Sequence, residues 1–150
     1  MKTIHAWALV LALIVSYPLE LEGQETHGDS LTKLKAQWKS IAEIKPAVVL
    51  IMASTEDGVS FGTGFVISSD GYIVTNEHVV HSAQEIKVYI NNEKEYVAHV
   101  ATADQDYDLA ILKVNGFNLI TVKLGDSDDA NEGDDVGVVG YPYVDRFLAE

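Results

Sequence analysis

The sequence predicts an all-β fold, an antiparallel barrel or sandwich, preceded by one short amphipathic helix. Three observations carry this. After Pro46 the chain breaks into short β-rich runs separated by Gly, Asn and Asp turns. One of those runs, "EIKVYI" (85–90), alternates with Ile86, Val88 and Ile90 on one face, which suits a sheet with one buried face, and "LAILKV" (109–114) is an apolar run of strand length. Before Pro46 the apolar residues instead recur at helical spacing.

Residues 1–23 read as an export signal. Lys2 supplies the positive start, "AWALVLALIVSYPL" is an apolar stretch too short for a comfortable bilayer span, and Pro18 with the acidic "ELEG" ends it near Gly23. An uncleaved membrane anchor is the alternative. The chain has no Cys, so an exported domain of this size relies on its core, a habit more typical of bacterial exported proteins than of small secreted eukaryotic domains. "QETHGD" (24–29) is a polar spacer, and 24–45 as a whole reads as spacer plus helix. From Ser30 to Lys45, Leu31, Leu34, Trp38, Ile41, Ala42 and Ile44 fall on one side, and Lys33, Lys35, Lys39 and Glu43 mostly on the other. Asp29 or Ser30 suits the N-cap. Pro46 suits a stop, because the residue before a proline avoids helical geometry.

The strands are then expected in order: "AVVLIMAS" (47–54), "GTGFVI" and "YIVTNE" flanking the turn "SSDG", "EIKVYI", "EYVAHVATA", "LAILKV" and "LITVKL" (119–124). Six or seven strands in about eighty residues suffice to close a small barrel, here placed at 46–124. Beyond Leu124, "GDSDDANEGDD" reads as a linker and "VGVVGYPY" as one further strand.

Composition excludes some partners. Acids outnumber Lys and Arg 23 to 10 and the net charge is −13, which is wrong for binding phosphates of nucleic acid or an anionic membrane. The simplest meaning of the charge is solubility.

The chemistry concentrates at "TNEHVV" (75–80), where a good hairpin ends on a histidine among small polar groups. His78 can act as a base near neutral pH. To work on a hydroxyl it needs a carboxylate that takes the Nδ1 proton and fixes the tautomer. Asp108, directly ahead of "LAILKV", is the favoured partner, with Asp104 and Asp106 as rivals.

"KPAVVLIMAS", "GTGFVISSDGYIVTNEHVV", "DYDLAILKV" and "LGDSDDANEGDDVGVVGYP" occur in the order and approximate spacing of HtrA-like (Deg) trypsin-fold serine proteases, and the chain resembles that family from about Ile41 to Pro142. The resemblance implies two perpendicular six-stranded barrels, of which 46–124 is the first and 125–150 the inter-barrel linker and the start of the second. It implies His78 as general base and Asp108 as its orienter. It implies peptide-bond hydrolysis, polypeptide substrates, an exported or periplasmic location, no cofactor, and a homo-oligomer of the kind common in the family. The family's Gly-Asn-Ser-Gly-Gly nucleophile segment does not occur in these 150 residues. Ser127, the only serine after Asp108, matches the linker instead. The expectation is therefore a portion of an endopeptidase that is inactive alone. The alternative is a non-catalytic β-barrel that binds a partner through the face a second barrel would cover.

Other motifs carry less. "HVVH" pairs His78 with His81, but "HExxH" is not matched and no third ligand is spaced for zinc. "GTG" lacks a third glycine and precedes a strand, so Gly62 and Gly64 are expected to allow close backbone approach. In 126–135, Ala130 and Asn131 stand where a calcium loop needs a ligand and its turn glycine. His99 reads as a surface or edge residue and His27 belongs to the spacer. Tyr141 and Tyr143 read as core or cleft residues.

Overall fold

The computed structural model describes Thr32, Lys35 and residues 39–91 and 94–141. Residues 1–23, the expected export signal, lie outside them, as does Trp38. Thr32, Lys35 and residues 39–44 are helical (α1). The helix passes into a 3-10 turn, Lys45–Ala47, with Pro46 in its first turn, where a missing N–H costs nothing. Among the described residues no helix is long and apolar enough to cross a membrane.

Six antiparallel strands follow: β1 Val48–Thr55, β2 Gly58–Ser68, β3 Tyr72–Thr75, β4 Glu85–Ile90, β5 Lys94–Asp104 and β6 Leu109–Val114. They close into a barrel in the order β1-β2-β3-β6-β5-β4, with β4 pairing back onto β1. Register shifts at Val66/Ser68 in β2 and Val100/Thr102 in β5 let these two long strands bend around the barrel.

Alternation fills the interior. Val49, Ile51 and Ala53 of β1, Val66 of β2, Ile73 of β3, Val88 of β4, and Leu112 and Val114 of β6 form one core cluster, each essentially without exposed surface. Burying a side chain of this kind contributes roughly 1.5–3 kcal/mol, so the barrel needs no covalent staple. Val48 and Leu50 are buried as well, so β1 is covered on both faces.

The β2–β3 turn explains the "SSDG" signal. Gly71 has φ +106°, and a Cβ there would fall 2.4 Å from the carbonyl oxygen of Val114. Only glycine fits both the backbone and the space. Gly71 N–H donates to Ser68 O at 3.0 Å, closing the turn.

Two expected strands are absent among the described residues. Residues 119–124 form no ladder, touching the barrel through Leu119 N–H to Ser69 O (3.1 Å) and Val122 N–H to Val66 O (2.9 Å). Val122 anchors this strap by packing with Ala47 and Phe65 in a second apolar cluster. Residues 136–141 are likewise irregular and come alongside β2, where Tyr141 N–H donates to Thr63 Oγ1 at 3.0 Å. Closure contributes: every strand of the barrel already has two neighbours over part of its length, so little edge is left for a further β-prone segment.

Candidate active site

The rim of the barrel where β3 ends and β6 begins holds the polar cluster. Thr75 pairs with Ala110 in the β3–β6 ladder, which brings the two termini together although they are far apart in sequence. Thr75 is fully buried, and its Oγ1 donates to Thr63 O at 3.0 Å. Beyond it Asn76 is still extended, and the chain then makes one helical turn, α2 (Glu77–Val80). His78 thus sits on a short helix rather than at the strand end expected from its sequence. Val79 and Val80 of that turn are buried in the core, which turns His78 outward. Gly62 makes room for this: a Cβ there would lie 2.6 Å from both methyl carbons of Val79.

On the other side, a tight turn delivers Asp108. Asp104 Oδ1 accepts the N–H groups of Asp106 (3.0 Å) and Tyr107 (3.2 Å), and Asp108 N–H donates to Gln105 O at 3.3 Å. Asp108 itself has φ +51°, a left-handed conformation that Asp tolerates better than most residues. Asp104 therefore builds the turn, Asp106 contributes its backbone to it, and Asp108 is the acid that reaches the histidine.

The contact is close. His78 Nδ1 lies 2.8 Å from Asp108 Oδ2 and 3.0 Å from Oδ1, and the backbone N–H of His78 donates to Oδ1 at 3.0 Å. Asn76 Nδ2 donates to Asp108 Oδ2 at 3.1 Å and to the Asp108 carbonyl at 3.2 Å. The backbone N–H of His78 first, then its ring and the Asn76 amide, hold the Asp108 carboxyl below the usual carboxylate range. Near neutral pH the carboxylate can only accept, so Nδ1 is the donor and a neutral ring keeps its Nε2 lone pair free. About 41% of the His78 side chain is exposed, so the ring is open to a reactant. The arrangement can take a proton at Nε2 and stabilise the imidazolium that forms.

A sequence profile described as a trypsin-like peptidase domain matches residues 62–149. The chain belongs to the trypsin-like peptidase family. Its curated relatives are DegP-like. A probable periplasmic serine endoprotease from Halomonas elongata is 47% identical over 89 residues, which is 59% of this chain and 19% of that protein. A homologous protein from Pseudomonas putida is 49% identical over 84 residues, covering 56% and 18%. The chain spans about a fifth of the length of these relatives. Among solved structures, the serine endoprotease from Yersinia pestis superposes with a TM-score of 0.55 at 31% identity, over 58% of this chain and 32% of that one. The HtrA-type protease AlgW, solved with a tripeptide, gives 0.61 at 27% identity over 67% and 38%. This trypsin-like chain is thus HtrA-like, and its closed six-stranded barrel is the fold that the resemblance implied.

The remaining candidates lie elsewhere or serve structure. His81 Nδ1 is 2.7 Å from Glu77 Oε1, one helical turn back, and Gln105 Nε2 donates to the same oxygen at 3.4 Å. His99 is exposed on β5, opposite Lys113. Ser127 opens a 3-10 turn, Ser127–Asp129, capped by Asp126, so the acidic loop uses its carboxylates on its own backbone. Among the described residues no group of three or more His, Cys, Asp and Glu is placed to hold a metal ion. Burial pushes the Tyr141 phenol up, while His27 and Tyr143 lie outside the described residues. Asn76 was missed by sequence reasoning. Its one legible signal is an Asn at a helix N-cap two residues before the histidine.

Proposed function

We propose that this chain carries the base and orienting acid of an exported, periplasmic serine endopeptidase of the HtrA type. His78 acts as general base and then general acid, and Asp108 orients it. The observation that carries the reading is the 2.8 Å contact between His78 Nδ1 and Asp108 Oδ2 at the open rim of a trypsin-like barrel. In the proposed reaction, His78 Nε2 takes the proton of a serine hydroxyl as its oxygen bonds to the scissile carbonyl. The same ring returns that proton to the departing amine, leaving an acyl-enzyme for water to hydrolyse. The substrates are polypeptides, and no metal or organic cofactor is needed.

No Gly-Asn-Ser-Gly-Gly segment occurs in these 150 residues. On this reading the nucleophile and its oxyanion-stabilising N–H groups belong to a second barrel, which residues 125–150 lead into. The 150-residue chain alone then turns over no peptide. The test compares this chain with a chimera in which residues 1–141 are fused to the second barrel of a DegP-like relative. The chain alone is expected neither to cleave casein nor to take up a fluorophosphonate. The chimera is expected to do both, and His78→Ala should lower its kcat by about 10⁴-fold or more. Fluorophosphonate labelling of the chain alone, or a chimera indifferent to His78→Ala, overturns the assignment.

A further inference from the structure

We infer that Asn76 is a positioning residue whose side-chain amide clamps Asp108 in the left-handed conformation from which its carboxylate meets His78. The inference rests on the reading of His78 and Asp108 as base and orienter, and adds what holds the orienter in place.

Asn76 occupies the N-cap of α2. An asparagine there ordinarily turns its side-chain oxygen onto a free N–H of the first helical turn. Asn76 makes no such bond. The Asp108 carboxylate accepts the backbone N–H of His78 in its stead, at 3.0 Å. Capping has passed from the residue that starts the helix to an acid in the turn before β6, and the Asn76 amide is released for other use.

That use is specific. The NH₂ group reaches two oxygens of one residue, the Asp108 carbonyl at 3.2 Å and Oδ2 at 3.1 Å. Both targets are acceptors, so turning the amide over would set its oxygen against two oxygens, and only the donating orientation is satisfied. Asn76 is 8% exposed, so water competes poorly for these bonds. Asp108 needs such a hold, because its φ of +51° is sparsely populated and persists where surrounding contacts over-determine it. Its N–H is fixed by Gln105 O, its carboxylate by His78, and its carbonyl by Asn76. Of these, the Asn76 amide alone ties the backbone of Asp108 to its own carboxylate. Freed from it, the residue relaxes toward commoner backbone angles and the carboxylate swings away from the ring.

A residue that merely caps α2 would be replaced well by serine, which is as good an N-cap as asparagine. A serine hydroxyl is too short and has too few protons to bridge both oxygens. Asn76→Ser therefore leaves a residue able to cap but unable to clamp, and Asn76→Ala leaves one able to do neither. The readout is ¹⁵N NMR of the His78 ring in the 150-residue protein above the pKa of the ring, together with exchange of the His78 backbone amide. In the parent chain the neutral ring is expected as the Nδ1–H tautomer. In Asn76→Ser the ring should shift to mainly Nε2–H, and the His78 amide should exchange about tenfold faster, the equivalent of one lost bond to a charged acceptor. Core amides such as that of Leu112 should keep their protection. If Asn76→Ala does not fold, Asn76→Ser decides. A parent in the Nδ1–H form whose Asn76→Ser variant stays in that form overturns the clamp and leaves the base and orienter standing. A parent ring in the Nε2–H form overturns the pairing itself, and the clamp with it.

Discussion

Gly62→Ala is expected to disturb His78 from a distance, and the size of the effect follows from three lengths. The new Cβ would lie 2.6 Å from Val79 Cγ1 and Cγ2 and 3.2 Å from Val79 Cβ. Comfortable carbon contacts lie at about 3.5–4.0 Å, so Val79 must retreat by about 1 Å. Val79 neighbours His78 in a helix of four residues, and the shift passes to the ring. Adding about 1 Å to the 2.8 Å contact with Asp108 takes it beyond hydrogen-bond reach. Overpacking of this kind costs about 1–3 kcal/mol, and the stiffer unfolded chain offsets about 0.4–1 of it. The net loss is between about 0 and 2.6 kcal/mol, centred near about 1.3. Val79→Ala alone removes two buried methyl groups and should cost about 1.6 kcal/mol or somewhat more. The same change removes the atoms that collide, so the double variant should be more stable than the sum of the two losses by about 1 kcal/mol or more. Urea unfolding of the four proteins at constant m-value measures this, and the ring resonances of His78 report the displacement. Losses that add to within about 0.5 kcal/mol would show that Gly62 and Val79 do not compete for the same space.

Leu112→Ala empties a fully buried position of the core and should lower stability by about 2–5 kcal/mol; a urea midpoint that barely moves would mean that the barrel interior is not where the structure puts it. Asp108 should titrate below the ordinary carboxylate value of about 3.9, because hydrogen bonds from His78 and Asn76 favour its charged form. The sign follows from its folded pKa being depressed: its contribution to stability is complete above the unfolded value and is lost as pH falls through the lower folded one. Carboxyl ¹³C titration checks this, and a midpoint at or above the ordinary value refutes the hydrogen-bond network.

Much of the fold was legible because local signals and tertiary demands agree. "EIKVYI" alternates and "LAILKV" is an apolar run of strand length, and β4 and β6 occupy those residues. "SSDG" names its turn because Gly71 needs a positive φ. The failures share a cause, which is that period alone does not know what edges remain. "LITVKL" has strand composition, yet the barrel closes without it, leaving it two hydrogen bonds and a Val122 anchor. His78 reads as a strand end because Val74, Val79 and Val80 surround it with β-branched residues, whereas burial of the last two in the core calls for a helical turn. Asp108, favoured over its neighbours for its place ahead of a buried strand, is the acid whose carboxylate lies 2.8 Å from His78 Nδ1. The bonds from Asn76 to Asp108 left little trace, since a side chain that leaves the start of its own helix for a distant turn follows no spacing rule.

The pairing of Thr75 with Ala110 has a consequence for newly made chains. Strands β3 and β6 are neighbours although β4 and β5 lie between them in sequence, so this ladder is a long-range contact that is costly to close. A slip of one residue along it would turn Ile73 and Leu112 out of the interior, an error heavy enough to reject the misaligned form. Residues such as Ile73 and Leu112 thereby check the register that brings His78 and Asp108 together. In an unfinished barrel the imidazole of His78 and the carboxylate of Asp108 stay apart, and they meet only once the cylinder shuts.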